Sequence, residues 1–233
     1  LIIFESVYSM SGTLAPVRDI IRLAKQYNAL TYVDEVHAVG LYGATGAGIL
    51  EQEGLQEEID ILNGTLSKAI GVFGGYISAS ALLIDFIRCH GSGFIFTTSL
   101  PPAICAAATK SISLIQTDHA LRAQFFKNVK TLRTRLEESS IRYSGKESHI
   151  TIIPVKNAIA CRQLADQLLQ QHGIYTQPIN FPTVPVGEEC LRVICTARHQ
   201  PKHIMHLTYC LKKLLHGDHQ ADRQEFPAFN LAN

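Results

Sequence analysis

The sequence predicts an α/β protein: a mostly parallel sheet with crossover helices, followed by a smaller α/β unit. Three observations carry this. Short β-rich runs alternate with stretches of helical period over the first 140 or so residues. The pattern then restarts after Ser144 and Gly145. The chain has 233 residues, 46% of them hydrophobic and 18% charged, enough to bury one large core or two smaller ones.

The elements follow in order. Leu1–Phe4 reads as a buried strand. Pro16 opens a helix, because its fixed φ suits a first turn whose N–H groups have no partners anyway. Val17, Ile20, Ile21 and Ala24 give Val17–Tyr27 one apolar face. LTYV at 30–33 is the next strand, ending in DEVH, which completes a right-handed strand–helix–strand crossover. After the glycine-rich GLYGATGAG come a short helix, a strand near Ile59–Asn63, then Lys68, and a further strand at Gly75–Ser78. Helices are expected at Ala81–Cys89, Pro102–Thr117 and His119–Ser139.

In the second half, Ile150–Val155 reads as a strand and Ala158–His172 as a helix. Ile174–Gln177 and Leu191–Cys195 read as strands, and Pro201–Leu215 as a closing helix. Residues from about Gln220 lack periodicity and are expected to form a loose tail. The predicted organisation is a first domain over 1–118, a linking helix over 119–140, a small domain over 141–218 and a tail over 219–233.

Composition excludes several classes. Net charge is +1 without a basic stripe, which argues against a nucleic-acid partner. No apolar run reaches the roughly 18–20 residues of a membrane span. Ile61–Ile84 comes nearest, but Asn63, Thr65, Lys68 and four glycines interrupt it. The six cysteines form no C-x-x-C pair or disulfide spacing, which suits reduced thiols in a cytosol-like compartment. Ten histidines include no H-E-x-x-H, so a metal is not expected. The chain opens on Leu1 inside an apolar strand and is read as a piece of a longer protein, with any targeting region outside it.

One stretch stands out chemically. NGTLSKAIGVFGG, Asn63–Gly75, holds a single charge at Lys68, and widening the window to Ile61–Ile84 adds none. A buried lysine without a partner is costly; its escape is to lower its pKa or to react, and reaction is the expectation here. Asp34 and His37 follow the second strand, at the carboxyl end where open α/β sheets collect ligands. Taken alone, they are equally a loop cap and a structural hydrogen-bonder; with Lys68 they form a constellation. Thr65 and Ser67, among Gly64, Gly71, Gly74 and Gly75, suit a phosphate-holding turn or simply a capped tight turn. A phosphate, a ring nitrogen needing an acid and an aldehyde needing a lysine together describe pyridoxal phosphate (PLP).

Five ordered motifs extend this reading: ESVYSMSG (Glu5–Gly12), VDEVHAVGLYG (Val33–Gly43), GTLSKAIG (Gly64–Gly71), GFIFTTSLPP (Gly93–Pro102), and INFPTVP followed by LRV (Ile179–Val193). On these the chain resembles the alpha-oxoamine synthases, which are PLP-dependent transferases of fold type I, aspartate aminotransferase-like. It looks most like the branch that condenses glycine with succinyl-CoA to give 5-aminolevulinate, the first step of tetrapyrrole and heme synthesis. The resemblance covers roughly the second half of the family's catalytic core. It implies that residues 1–118 are the later part of the large PLP-binding domain.

Carried over by position, the resemblance implies Lys68 as the Schiff-base lysine and Asp34 as the partner of the pyridinium nitrogen. His37 falls at the ring's phenolic oxygen, and Ser9 and Thr65 at the cofactor, Thr65 at its phosphate. Thr97 and Thr98 are implied to reach the phosphate in a neighbouring subunit, hence a homodimer with shared sites. Arg192 is implied to bind the glycine carboxylate, a bidentate task that suits guanidinium. Thr183 falls on the substrate loop. Without the resemblance, Arg192 reads as an edge-strand salt-bridge residue, TTS at 97–99 as a helix N-cap, and Ser9 as a turn hydroxyl.

Three positions depart from the family pattern. Ser11 stands where Asp is common, Ile70 where Phe is frequent, and CTARHQ (Cys195–Gln200) where P-T-P-H-H often follows LRV. The last bears on the acyl donor. Two alternatives stay open: a family member taking another acyl-CoA, and a non-catalytic dimerisation module. The implied compartment is the cytoplasm, or the mitochondrial matrix in a eukaryote.

Overall fold

The computed structural model describes residues 1–217; the expected tail lies outside the described residues. The chain forms two compact units. The first comprises Leu1–Ser9 and Leu14–Leu121, the second Met10–Thr13 and the described residues from Arg122 on.

In the first unit, strands β1 (Ile2–Glu5), β2 (Thr31–Asp34), β3 (Ile61–Thr65) and β4 (Gly75–Ala79) form one sheet in that order. β1, β2 and β3 are parallel, and β4 runs antiparallel to β3. The expectation of a mostly parallel sheet therefore holds except at β4, where the short connection over 66–74 leaves no room for a crossover helix. Helix α1 (Val17–Gln26) links β1 to β2, burying Val17, Ile21 and Ala24 while its polar face stays in solvent. α2 (Ile49–Glu53) and a single 3₁₀ turn at Gln56–Glu58 lead into β3.

Beyond the sheet lie α3 (Ala81–His90), a short α4 (Ser92–Ile95) that the sequence pattern does not predict, and α5 (Pro102–Thr117). Leu66, Ile70 and Ala108 form a small core with Val39, Val72, Leu100 and Ile115 packed against it. The Ser111 hydroxyl donates to the Ile70 carbonyl at 2.8 Å, fixing the 66–74 loop to α5.

In the second unit, α6 (His119–Glu138) buries Leu132 and Leu136, and Ile150, Ile153, Leu168, Leu191 and Leu211 are fully buried as well. Strands β5 (Thr151–Pro154), β6 (Gln177–Ile179) and β7 (Cys190–Val193) make an antiparallel sheet in the order β5-β7-β6, with α7 (Ala158–His172) against β6 and β7 and α8 (Pro201–His216) against α7. The strand predicted at Ile174–Gln177 starts later. Gly173 takes φ 64° to cap α7 and the Ile174 N–H bonds the Leu168 carbonyl, so the helix end consumes residues that a strand would need. All six cysteines are free thiols, four buried and two (Cys89, Cys105) exposed. No helix among the described residues is long and apolar enough to cross a membrane.

Candidate active site

The parallel strands β1, β2 and β3 end side by side, with Glu5 opposite Asp34 and Asp34 opposite Asn63. Each of these three residues has a defined job. Asp34 is half-buried; its Oδ1 accepts from the Val36 N–H at 2.8 Å and its Oδ2 from Asn63 Nδ2 at 3.0 Å. Both oxygens thus face donors, which fixes the orientation of the carboxyl group. Glu5 holds the loop after β1: it accepts from the Ser9 N–H at 3.0 Å and the Ser9 hydroxyl at 3.2 Å. His37 sits three residues beyond Asp34 in the turn that follows β2 and is half-buried.

The turn after β3 is organised by its hydroxyls. Thr65 Oγ1 lies 2.8 Å from Ser67 Oγ, accepts from the Ser67 N–H at 3.1 Å and donates to the Gly74 carbonyl at 3.3 Å. Backbone bonds from Leu66 N–H to the Gly74 carbonyl and from Val72 N–H to the Leu66 carbonyl close the loop. Gly40 allows this loop to sit against the glycine-rich turn. Its φ is +89°, and a Cβ there would stand 2.3 Å from the Cβ of Ala69.

Lys68 is not buried, contrary to the sequence expectation. Leu66 and Ile70 turn inward to the small core, while Ser67, Lys68 and Ala69 between them are exposed. The apolar residues flanking the lysine in sequence therefore anchor the turn and do not enclose the ammonium. Among the described residues no ion pair or hydrogen bond engages it. What singles Lys68 out is its place: the turn directly after the strand that holds Asn63 against Asp34.

Other expected residues lie further off in the chain. Thr97 and Thr98 are exposed in the loop after α4. They do not cap the next helix, since the N-cap of α5 is Pro101, with no side-chain capping bond. Thr183 and Arg192 belong to the second unit. Thr183 is exposed in a turn, its N–H bonded to the Asn180 carbonyl at 2.9 Å. Arg192 is half-buried on β7, opposite Ile152 on one side and Gln177 on the other, so β7 is the central strand and the edge-strand reading is wrong.

Glu35 was not singled out in the sequence, yet it is fully buried behind the site. Its Oε2 accepts from the Ser6 hydroxyl at 2.8 Å and from Ile49 N–H at 3.1 Å, and its Oε1 from Leu50 N–H at 2.8 Å. A carboxylate at the first amides of α2 is favourable, but burial outweighs these donors and raises its pKa. Gly48 (φ +122°) makes room for it: a Cβ there would lie 2.6 Å from Oε2. Asn63 and Glu35 share one reason for being missed, since strand register and loop closure bring their partners from about 15–30 positions away.

The fold and the strand-end cluster define an α/β enzyme domain of the aminotransferase type, and a family profile agrees: residues 1–209 match the description Aminotransferase class I and II, to which this chain belongs. Among curated proteins it is 51% identical over 216 residues to the 5-aminolevulinate synthase of Paracoccus denitrificans (strain Pd 1222), covering 92% of this chain and 53% of that protein. It is 48% identical to the protein of the same name from Rhizobium meliloti (strain 1021), with 92% and 53% coverage. The chain thus spans about half the length of the curated relatives it matches. Among solved structures it superposes with a TM-score of 0.85 and 30% identity on the serine palmitoyltransferase from S. paucimobilis with a bound PLP–myriocin aldimine, over 92% of this chain and 54% of that one. An 8-amino-7-oxononanoate synthase from Francisella tularensis shares the fold, at TM-score 0.80 and 23% identity, over 94% of this chain and 63% of that one.

Proposed function

We propose that this chain forms part of a PLP-dependent acyltransferase that condenses glycine with succinyl-CoA to give 5-aminolevulinate, CoA and CO2. The observation that carries the reading is the Asp34 carboxylate, fixed between the Asn63 amide and the Val36 N–H at a strand end, with a free lysine on the adjoining turn. The donor set suits PLP: an anion for the pyridinium, an unengaged amine for the aldehyde and a hydroxyl-bearing turn for the phosphate. When bound, PLP supplies the sink that stabilises negative charge at the glycine α-carbon.

The chain's own residues divide the remaining work. Lys68 would hold the cofactor through its aldehyde and is the amine that would take the glycine α-proton. Asp34 would pair with the ring nitrogen, and the Asn63 amide fixes the orientation of its carboxylate for that task. His37 and Ser9 would contact the cofactor, and Thr65 its phosphate. Thr97 and Thr98 reach the phosphate bound by a second copy, which makes the working form a homodimer. Arg192 grips the glycine carboxylate with Thr183 on the neighbouring loop. The glycine α-carbon attacks the thioester carbonyl, the C–S bond breaks to release CoA, the glycine carboxylate leaves as CO2, and the carbon it leaves takes a proton.

Leu82, Phe86, Phe94 and Phe96 leave more than half of their surface exposed, 84% and 87% for Leu82 and Phe96. Apolar area on this scale supports coverage by further protein in the whole enzyme. Steady-state assays of the complete protein with glycine and a series of acyl-CoAs test the reading. Succinyl-CoA is expected to give the highest kcat/KM; preference for acetyl-CoA or a long-chain acyl-CoA would reassign the donor. The compartment is proposed as cytoplasm or mitochondrial matrix.

A further inference from the structure

The second unit holds a cluster that the reaction above does not use. His206 and Cys210 are four residues apart on α8 and therefore share one helix face. His172 is the last residue of α7, brought beside them by the packing of the two helices. One potential ligand atom from each of the three lies within 4.8 Å of the others.

Two details distinguish this cluster from histidines that merely fill space. His172 Nε2 is buried and has no hydrogen-bond partner, an unmet cost for a ring nitrogen that could simply have faced water. His206 Nε2 lies 3.1 Å from the His172 carbonyl oxygen. With Nε2–H donating there, the lone pair falls on Nδ1, which stands 3.9 Å from Cys210 Sγ. A carbonyl that fixes the tautomer of a ligating histidine is the usual outer-shell arrangement at metal sites.

We propose that His172, His206 and Cys210 bind a divalent cation of the zinc class, tying the end of α7 to the middle of α8. Two imidazoles and one thiolate match the borderline-soft preference of zinc and leave a fourth tetrahedral position for water or another group. Metal–nitrogen and metal–sulfur bonds of about 2.1 and 2.3 Å place tetrahedral ligands roughly 3.3–3.6 Å apart, so small side-chain rotations close the cluster on a metal. Binding exchanges the Cys210 thiol proton, released to solvent, for a metal–sulfur bond. The Lys213 ammonium, which acts on both His172 and Cys210, opposes the cation, and the new thiolate offsets it. H-E-x-x-H spacing is absent because the ligands come from two helices, which is why the sequence predicted no metal. This site is independent of the proposed acyl transfer.

The test is cobalt titration of the metal-stripped whole chain, in a C89S/C105S background that removes the two exposed thiols. The expected result is a thiolate-to-cobalt charge-transfer band saturating at one equivalent, reversed by zinc. His172→Ala and His206→Ala should each weaken binding by about tenfold or more, and Cys210→Ser should remove the band. Should the buried Cys210 variant fail to fold, the two histidine variants decide the matter. A chain with no saturable band, or one whose affinity is the same in H172A and H206A, overturns the proposal.

Discussion

Asn63 Nδ2 donates to Asp34 Oδ2 at 3.0 Å across the β2–β3 pair. The bond links the acid at one strand end to the strand that delivers the lysine turn. If Asp34 keeps a ring nitrogen protonated, Asp34→Ala should leave the fold intact and lower kcat by about 10²-fold or more, the scale of one lost electrostatic partner, roughly 3 kcal/mol. Asn63→Ala should cost less, through misorientation of a retained carboxylate. Equal kcat in wild type and D34A would remove the role assigned to the acid.

Glu35 gives a pH-dependent prediction. Burial raises its folded pKa above the ordinary 4.5, so the folded chain holds this proton more tightly than the unfolded chain does. Its contribution to stability is therefore complete below about pH 4.5 and declines as pH rises through the raised value. Glu35→Gln replaces one accepting oxygen with a donor facing backbone N–H groups and should destabilise by about 1–3 kcal/mol. The gap between wild type and variant, read by urea unfolding, should narrow from pH 5 to pH 8. A gap that widens would contradict the assignment.

Gly40 tests how the lysine turn is held. An alanine at φ +89° is strained and its methyl meets Ala69, so Gly40→Ala should cost roughly 1–3 kcal/mol. Because Ala69 follows Lys68, PLP affinity should fall more steeply than in a Gly54→Ala control. Gly54 also has positive φ, but a Cβ there meets nothing within 4 Å. Equal losses of affinity in the two variants would separate Gly40 from the site.

Much of this was legible in the chain itself. Period and punctuation located α1, β2, α5 and α7, because Pro, Gly and apolar spacing act locally. Asp34 and Lys68 stood out as candidates because an acid after LTYV and one charge in a long neutral window are linear features, and the structure places them at a strand end and on the turn after the adjoining strand. The burial state of Lys68 was not: adjacent residues Leu66 and Ile70 point inward while the lysine points out, and only the turn's three-dimensional course decides that. Asn63, Glu35 and the His172–His206–Cys210 cluster depend on register and helix packing between distant segments, which no local pattern encodes.

The most direct measurement is borohydride reduction of the complete, PLP-loaded protein, followed by peptide mapping. A single pyridoxyl label on Lys68 is the expected result, absent from Lys68→Ala. A label on another lysine, or none, would contradict the central claim.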